Sequence, residues 1–229
     1  ESVVEQLLDE IDAGQPVDIA EALTIPLPVA LIAHFMAIPF ERKDDFKRWS
    51  DSLTATGTAK TMAERMPDIL AMMSFFRDEI PKRRAVPGDD LISKVISAEV
   101  AGEALTEETI VGYCQLLLIA GNETTTNLLS NLLSYIADHP EVWAVLREDT
   151  SKIEAAIEET LRFEPPVHWL SRVAVRDAEF HGQKVAKGEA VYTVLGAANR
   201  DPEHYDDPDT FRLDRPRSDH HTFGHGINF

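Results

Sequence analysis

A single helical pattern runs unbroken from Glu107 to about Asp138, where Pro140 intervenes. It covers about 32 residues, or about 48 Å at 1.5 Å per residue, against about 11–12 residues for an ordinary helix. A rod of that length crosses a whole domain, so the rest of the chain must be arranged around it. Thr106 is placed to cap its start, and Glu107 and Glu108 favour the positive end of its dipole. Its middle, LLLIAGNETTTNLLSNLL over 116–133, sets Gly-Asn-Glu-Thr-Thr-Thr into an apolar run. Glycine and β-branched threonine are poor helix-interior residues, and a carboxylate is costly if that interior is buried. These residues need a reason to be there.

Before the rod the periodicities are helical. ESVVEQLLDEIDAG has helical spacing at Val4, Leu7, Leu8 and Ile11, with Gly14 to end it. LPVALIAHFMAI predicts a short buried helix stopped by Pro39, and ERKDDFKRWSDSL a charged amphipathic one. Thr61 to Arg84 reads as another, with Met62, Ile69, Met72, Met73, Phe76 and Ile80 as its apolar face. PGDDLISKVISAE gives a turn and a short helix. After the rod come HPEVWAVLRED and SKIEAAIEETLRF. In the second, Ser151 and Glu154 have capping-box spacing, and Pro165-Pro166 ends the helix. Beyond Pro166 the texture changes to short strand-like runs, RVAV, AEF, QKV and AVYTVL, with turns at His181-Gly182 and Lys187-Gly188. The remainder reads as irregular packed coil. The expected fold is mainly α with a small β region: one domain over 1–229, in which residues 1–166 are helical and 167–229 form a β-rich segment.

Charge and cysteine use narrow the function. A formal net charge of −18 argues against nucleic acid, whose phosphates need Lys and Arg, and against anionic membrane surfaces. Its ordinary use is solubility. No run approaches the roughly 18 apolar residues of a membrane span. No basic leader with an apolar core is visible, so a cytoplasmic protein is expected. The single cysteine, Cys114, excludes an internal disulfide and suits a reducing compartment; in its apolar setting it reads as a small hydrophobe.

Three constellations carry chemistry. On the rod, Leu117, Ala120, Gly121, Thr124 and Leu128 share a face at three- and four-residue spacing. Ala120 and Gly121 make its centre nearly flat, which suits either a planar ligand or a neighbouring helix. Glu123 and Thr124 border that spot, and Thr124 is placed to bond back to the Ala120 carbonyl. The second is Glu159-Thr160-Leu161-Arg162, whose ends pair across one turn. On a surface such a pair contributes about 0–1 kcal/mol; buried, it needs further partners. The third is HHTFGHGINF, 220–229, in which Phe223, Gly224 and Gly226 describe an aromatic anchor before a tight turn. It reads either as a ligand loop or as a surface loop. His220, His221 and His225 invite a metal site, but glycines on both sides of His225 work against the helix that would gather them.

Taken together and in this order, AGNETT (120–125), ETLR (159–162), ANRDPEHYDDPDTFRLDRP (198–216) and FGHGINF (223–229) resemble the heme-thiolate monooxygenases, the cytochrome P450 superfamily, of the soluble bacterial type. The resemblance implies that Ala120 and Gly121 let heme and O2 lie against the rod, and that Glu123 and Thr124 relay protons for oxygen activation, with a thiolate assisting O–O cleavage. Glu159 and Arg162 would brace the segment around the heme loop, and Arg172 would pair with a heme propionate. Phe223, Gly224, His225 and Asn228 would hold the cofactor from that loop, which begins within the β-rich segment; Asn228 stands where the family often has a charged His or Arg. Leu117, Val167, His168 and Leu170, with Ala120, would line the substrate pocket.

The iron-ligating cysteine is expected just after Phe229. Cys114 cannot replace it, lying about 15 Å from Thr124 along the same helix. By this resemblance the fold is an incomplete cytochrome P450 fold, truncated at both ends. The implied reaction inserts one oxygen atom from O2 into a small nonpolar organic substrate. Electrons would come from NAD(P)H through a separate ferredoxin- or flavodoxin-type donor. Two alternatives stay open: a truncated or degenerate relative without the axial cysteine, acting as a non-catalytic binding or interaction module, and a helical small-molecule carrier.

Overall fold

Thr106 opens the long helix as its position demands: its Oγ1 accepts from the Thr109 N–H at 3.2 Å and its carbonyl accepts from the Ile110 N–H at 2.9 Å. The helix then runs from Glu107 to Asp138. In the computed structural model, which describes residues 2–12, 14–54, 60–215 and 219–225, the chain forms nine α-helices among the described residues: α1 Ser2–Asp9, α2 Pro26–Phe35, α3 Lys43–Thr54, α4 Met62–Ala85, α5 Leu91–Ser97, α6 Glu107–Asp138, α7 Pro140–Glu148, α8 Ile153–Phe163 and α9 Leu195–Ala198. Six short strands pair as three separate two-stranded antiparallel ladders: β1 (Glu99–Val100) with β2 (Glu103–Ala104), β3 (Leu170–Val173) with β6 (Ala190–Thr193), and β4 (Ala178–Phe180) with β5 (Gln183–Val185). The mainly α fold with a small β region is therefore observed. Its contacts divide into two units, Glu1–Thr126 and Asn127–Phe229.

The first unit buries one hydrophobic core. Phe46 and Trp49 of α3, Met72, Phe76 and Ile80 of α4, Ile92 of α5, and Ile110, Cys114 and Leu118 of α6 are all at 0–1% exposure. Each such large side chain contributes about 1.5–3 kcal/mol on burial. The aromatic centre packs edge to face, Phe46 against Phe76 at 6.5 Å. Helix α4 has a capping box at Thr61 and Glu64, the Thr61 N–H donating to Glu64 Oε2 at 2.7 Å. Met62, expected on its apolar face, is 56% exposed, because the first turn overhangs the core.

Other boundaries depart from expectation for local reasons. α1 stops at Asp9, since the Asp12 carboxylate and carbonyl take the Gly14 and Gln15 N–H groups at 2.9 and 3.1 Å and turn the chain. The Ser151–Glu154 capping box does not form. Asp149 captures the Ser151 N–H at 3.1 Å and its hydroxyl at 2.6 Å, and a 3-10 turn, Thr150–Lys152, precedes α8. The β1–β2 hairpin turns on Ala101 and Gly102, both at positive φ (54° and 81°), the primed geometry that matches strand twist. The turn at His181-Gly182 has the same form (48° and 81°). Among the described residues, no helix is long and apolar enough to cross a membrane.

Candidate active site

In the first unit the AGNETT stretch of α6 divides its labour. Asn122 is buried and its Nδ2 donates to Ser50 Oγ of α3. Gly121 meets α2: a methyl added there would lie 3.1 Å from Ile32 Cδ1. Its smallness thus serves helix-to-helix approach, one of the two uses the sequence left open. Ala120 stays exposed, at the middle of a stripe that includes exposed Tyr113 and Leu116 and half-buried Leu117. Thr124 Oγ1 donates to the Ala120 carbonyl at 2.9 Å, as its position predicted, and α6 stays continuous through the site. Glu123 is half-buried, and no described residue pairs with its carboxylate. Cys114 lies on the opposite, core-facing side; burial pushes its thiol up to about 12, against the pull of Arg83. It stays protonated at neutral pH and is no thiolate ligand.

In the second unit the Glu159–Arg162 pair is wholly buried, and the further partners such burial requires are present. Arg162 Nε and Nη2 grip Glu159 Oε2 and Oε1 at 2.9 and 2.8 Å. Its remaining N–H groups reach the carbonyls of Asn199 (2.9 Å), Pro208 (2.8 Å) and Thr210 (3.2 Å). All five guanidinium donors are used. Glu159 also accepts from the Arg212 N–H at 3.0 Å and from Arg215 Nε at 3.1 Å. Arg215 in turn holds the carbonyls of Asp206, Asp207 and Thr210. One carboxylate between two arginines thus fixes the irregular 206–215 segment. The sequence suggested the pair; it held no sign of Arg215 or Asn199 in these roles.

The residues after Pro166 are less enclosed. Val167 is half-buried, while His168 and Leu170 are exposed. His168 Nε2 lies 3.5 Å from Glu164 Oε1, and a methyl placed on Gly196 would come within 3.1 Å of Nδ1. Arg172, on β3, is exposed and donates to the Ser171 carbonyl at 2.9 Å, with no described carboxylate beside it. Phe223 is 65% exposed, and the turn after it uses Gly224 at φ +94°, its N–H on the His221 carbonyl at 2.8 Å. The His225 ring is exposed and meets His221 edge to face at 5.5 Å. Asn228 lies outside the described residues. Among those described, no cluster of His, Cys, Asp or Glu could hold a metal ion.

A buried Glu-x-x-Arg pair, an acid–hydroxyl couple on a long helix and an aromatic-glycine loop stand in one chain, and the family profile of Cytochrome P450 matches residues 29–229. The chain belongs to the cytochrome P450 family. Cytochrome P450 109 of Bacillus spizizenii is 40% identical over 230 residues, covering 97% of this chain and 57% of its own. Cytochrome P450 107B1 of Saccharopolyspora erythraea is 36% identical, over 100% of this chain and 56% of its own. The crystal structure of CYP109E1 from Bacillus megaterium in complex with testosterone has a TM-score of 0.92 at 38% identity, covering 100% of this chain and 62% of that one. The chain therefore spans about three-fifths of the length of these P450 relatives.

Proposed function

We propose that the protein to which this P450 chain belongs is a heme-dependent monooxygenase, inserting one oxygen atom from O2 into a small nonpolar organic substrate. The observation that carries this reading is the centre of α6. There an exposed methyl-only residue, Ala120, sits one turn before a hydroxyl, Thr124, already hydrogen-bonded to its carbonyl, with the carboxylate of Glu123, unpaired among the described residues, adjacent in sequence. The donor set suits heme by its own chemistry. Ala120 offers a flat apolar contact, Arg172 a cation with no described carboxylate beside it, and Phe223 an exposed ring before a glycine turn. Heme, once bound, supplies the iron at which dioxygen is activated.

The chain's own residues then bind, orient and move protons. Glu123 takes a proton from water, and its carboxylate lies next to Thr124 in sequence. The Thr124 hydroxyl accepts and donates at once, so it would turn its hydrogen from the Ala120 carbonyl to dioxygen and take another from water that exchanges protons with Glu123. On family membership, Arg172, Phe223, Gly224, His225 and Asn228 would hold the cofactor and Ala120 would lie against it; Gly121 keeps α6 close to α2. Leu117, Val167, His168 and Leu170 receive the substrate. CYP109E1 is described with testosterone and P450BioI, at TM-score 0.88, with an acyl carrier protein bearing hexadec-9Z-enoic acid; a nonpolar skeleton of that kind suits these side chains. Glu159 and Arg162 brace the fold. Electron supply from NAD(P)H through a separate ferredoxin- or flavodoxin-type carrier, a cytoplasmic location and a single heme domain that includes residues 1–229 complete the reading, on family membership.

The test is Thr124→Ala in the full-length protein. Loss of a positioned proton donor lowers product formation about a hundredfold while NAD(P)H and O2 are still consumed and peroxide is released. Unchanged coupling would remove Thr124 from the mechanism.

A further inference from the structure

Helix α8 ends at Phe163, so its last carbonyls have no partner within the helix. Their partners come from far along the chain. The Phe163 carbonyl accepts from Arg200 Nε and Nη2 at 3.0 and 2.7 Å. The Leu161 carbonyl accepts from Thr222 Oγ1 at 2.5 Å and from Asn199 Nδ2 at 3.4 Å. Asn199 stands at the centre of this arrangement and is 0% exposed. Its Nδ2 also donates to Thr222 Oγ1 at 3.0 Å, its Oδ1 accepts from the His221 N–H at 2.7 Å, and its carbonyl accepts from Arg162 at 2.9 Å.

A buried amide that satisfies both donor hydrogens and its acceptor is held in one orientation. Asn199 therefore joins three things: the end of α8, the buried Arg162–Glu159 pair, and residues 221–222, which lead directly into Phe223 and Gly224. Thr222 is the second half of the joint, since its hydroxyl takes a hydrogen from Asn199 and gives its own to Leu161. The hydroxyl and the amide thus form a short relay with each donor used once.

We infer that Asn199, acting through Thr222 and the His221 backbone, is a positioning residue for Phe223 and Gly224, the start of the loop that would hold heme. This rests on the heme reading above. Asn199 touches neither cofactor nor substrate in this role. It fixes where that loop starts, at His221 and Thr222. Each hydrogen bond lost from the joint weakens this anchoring about fivefold.

The experiment uses the full-length, heme-loaded protein and four variants: Asn199→Leu, Asn199→Asp, Thr222→Val and Thr222→Ser. The readout is the fraction of the reduced, carbon monoxide-bound protein whose Soret band is of thiolate type, together with the iron reduction potential. Asn199→Leu and Thr222→Val lower the thiolate-type fraction about fivefold or more. Thr222→Ser, which keeps the hydroxyl, restores it. Asn199→Asp keeps the acceptor for His221 but loses both donors, and falls between. Should Asn199→Leu not fold, the Thr222 pair decides alone, since valine and threonine are nearly the same size. Wild-type fractions and potentials in Thr222→Val would overturn the inference. A parent protein with no thiolate-type band at all would instead overturn the heme reading, so the two failures are distinguishable.

Discussion

Arg162 shows what a single residue does here. Removing a charged group from water is unfavourable by several kcal/mol, yet Arg162 is 0% exposed. Its burial is tolerated because every donor has an acceptor and Glu159 supplies the opposite charge. Replacing it with alanine leaves Glu159 buried beside Arg215 and strands the Asn199, Pro208 and Thr210 carbonyls. We expect a loss of about 3–5 kcal/mol in urea unfolding of the full-length protein. Arg162→Lys should recover little of it, because an ammonium has three donors and no planar fork. Cys114 is the opposite case. Its thiol, pushed up to about 12 by burial, should resist alkylation at pH 8 in the folded protein and react at once when denatured; fast labelling of the native state would contradict the packing described.

At the scale of elements, close approach and capping decide what is tolerated. Gly121 sits against Ile32, so Gly121→Leu forces α2 and α6 apart and should cost about 1–3 kcal/mol, measured by thermal unfolding. Gly121→Ala asks only that the end of a flexible side chain give way, 3.1 Å from the new methyl, and gains helix propensity in return. Asp90, whose Oδ1 accepts from the Ser93 N–H at 3.0 Å and so caps α5, and Glu79 of α4 both pair with Arg83 and carry a pH dependence. Burial opposes the charged form of Asp90 and of Glu79. Ser93 and Arg83 outweigh it at Asp90, and Lys82 and Arg83 at Glu79, so both lie below their ordinary 3.8 and 4.5. Their stabilisation is complete above the unfolded values and is lost as pH falls through the lower, folded ones. Urea midpoints should therefore drop below about pH 4.5, and Asp90→Asn should flatten that drop; an unchanged acid slope would exclude the cluster.

The same scale explains what could be read from the sequence. Both ends of α6 were legible, since Thr106 and Pro140 act locally. So was the Glu159–Arg162 pair, one turn apart. Its completion was not: Asn199, Pro208 and Thr210 come from 37 to 48 positions away, and no local period reports such contacts. Gly121 was legible as small, but only packing shows that Ile32 fills the space. Asp149 pre-empted the expected capping box because it takes both the Ser151 N–H that Glu154 would have held and the Ser151 hydroxyl.

Across the whole molecule, the pattern is a P450 chain whose distinctive residues fall into two kinds. Some are consumed by structure: Gly121 on α2, Asn122 on α3, Glu159 and Arg162 in their buried cluster. Others are left uncommitted among the described residues: Ala120 exposed, Glu123 unpaired, Arg172 without a carboxylate, Phe223 exposed. The uncommitted set is the one that the proposed function assigns to heme, its oxygen and a substrate. The most direct measurement of that claim is the absorption spectrum of the full-length protein, reduced under carbon monoxide. The account predicts bound heme with the long-wavelength Soret band of a cysteine-thiolate ligand. A protein that retains no heme, or one whose band stays at the position of a histidine- or thiol-ligated iron, would contradict it.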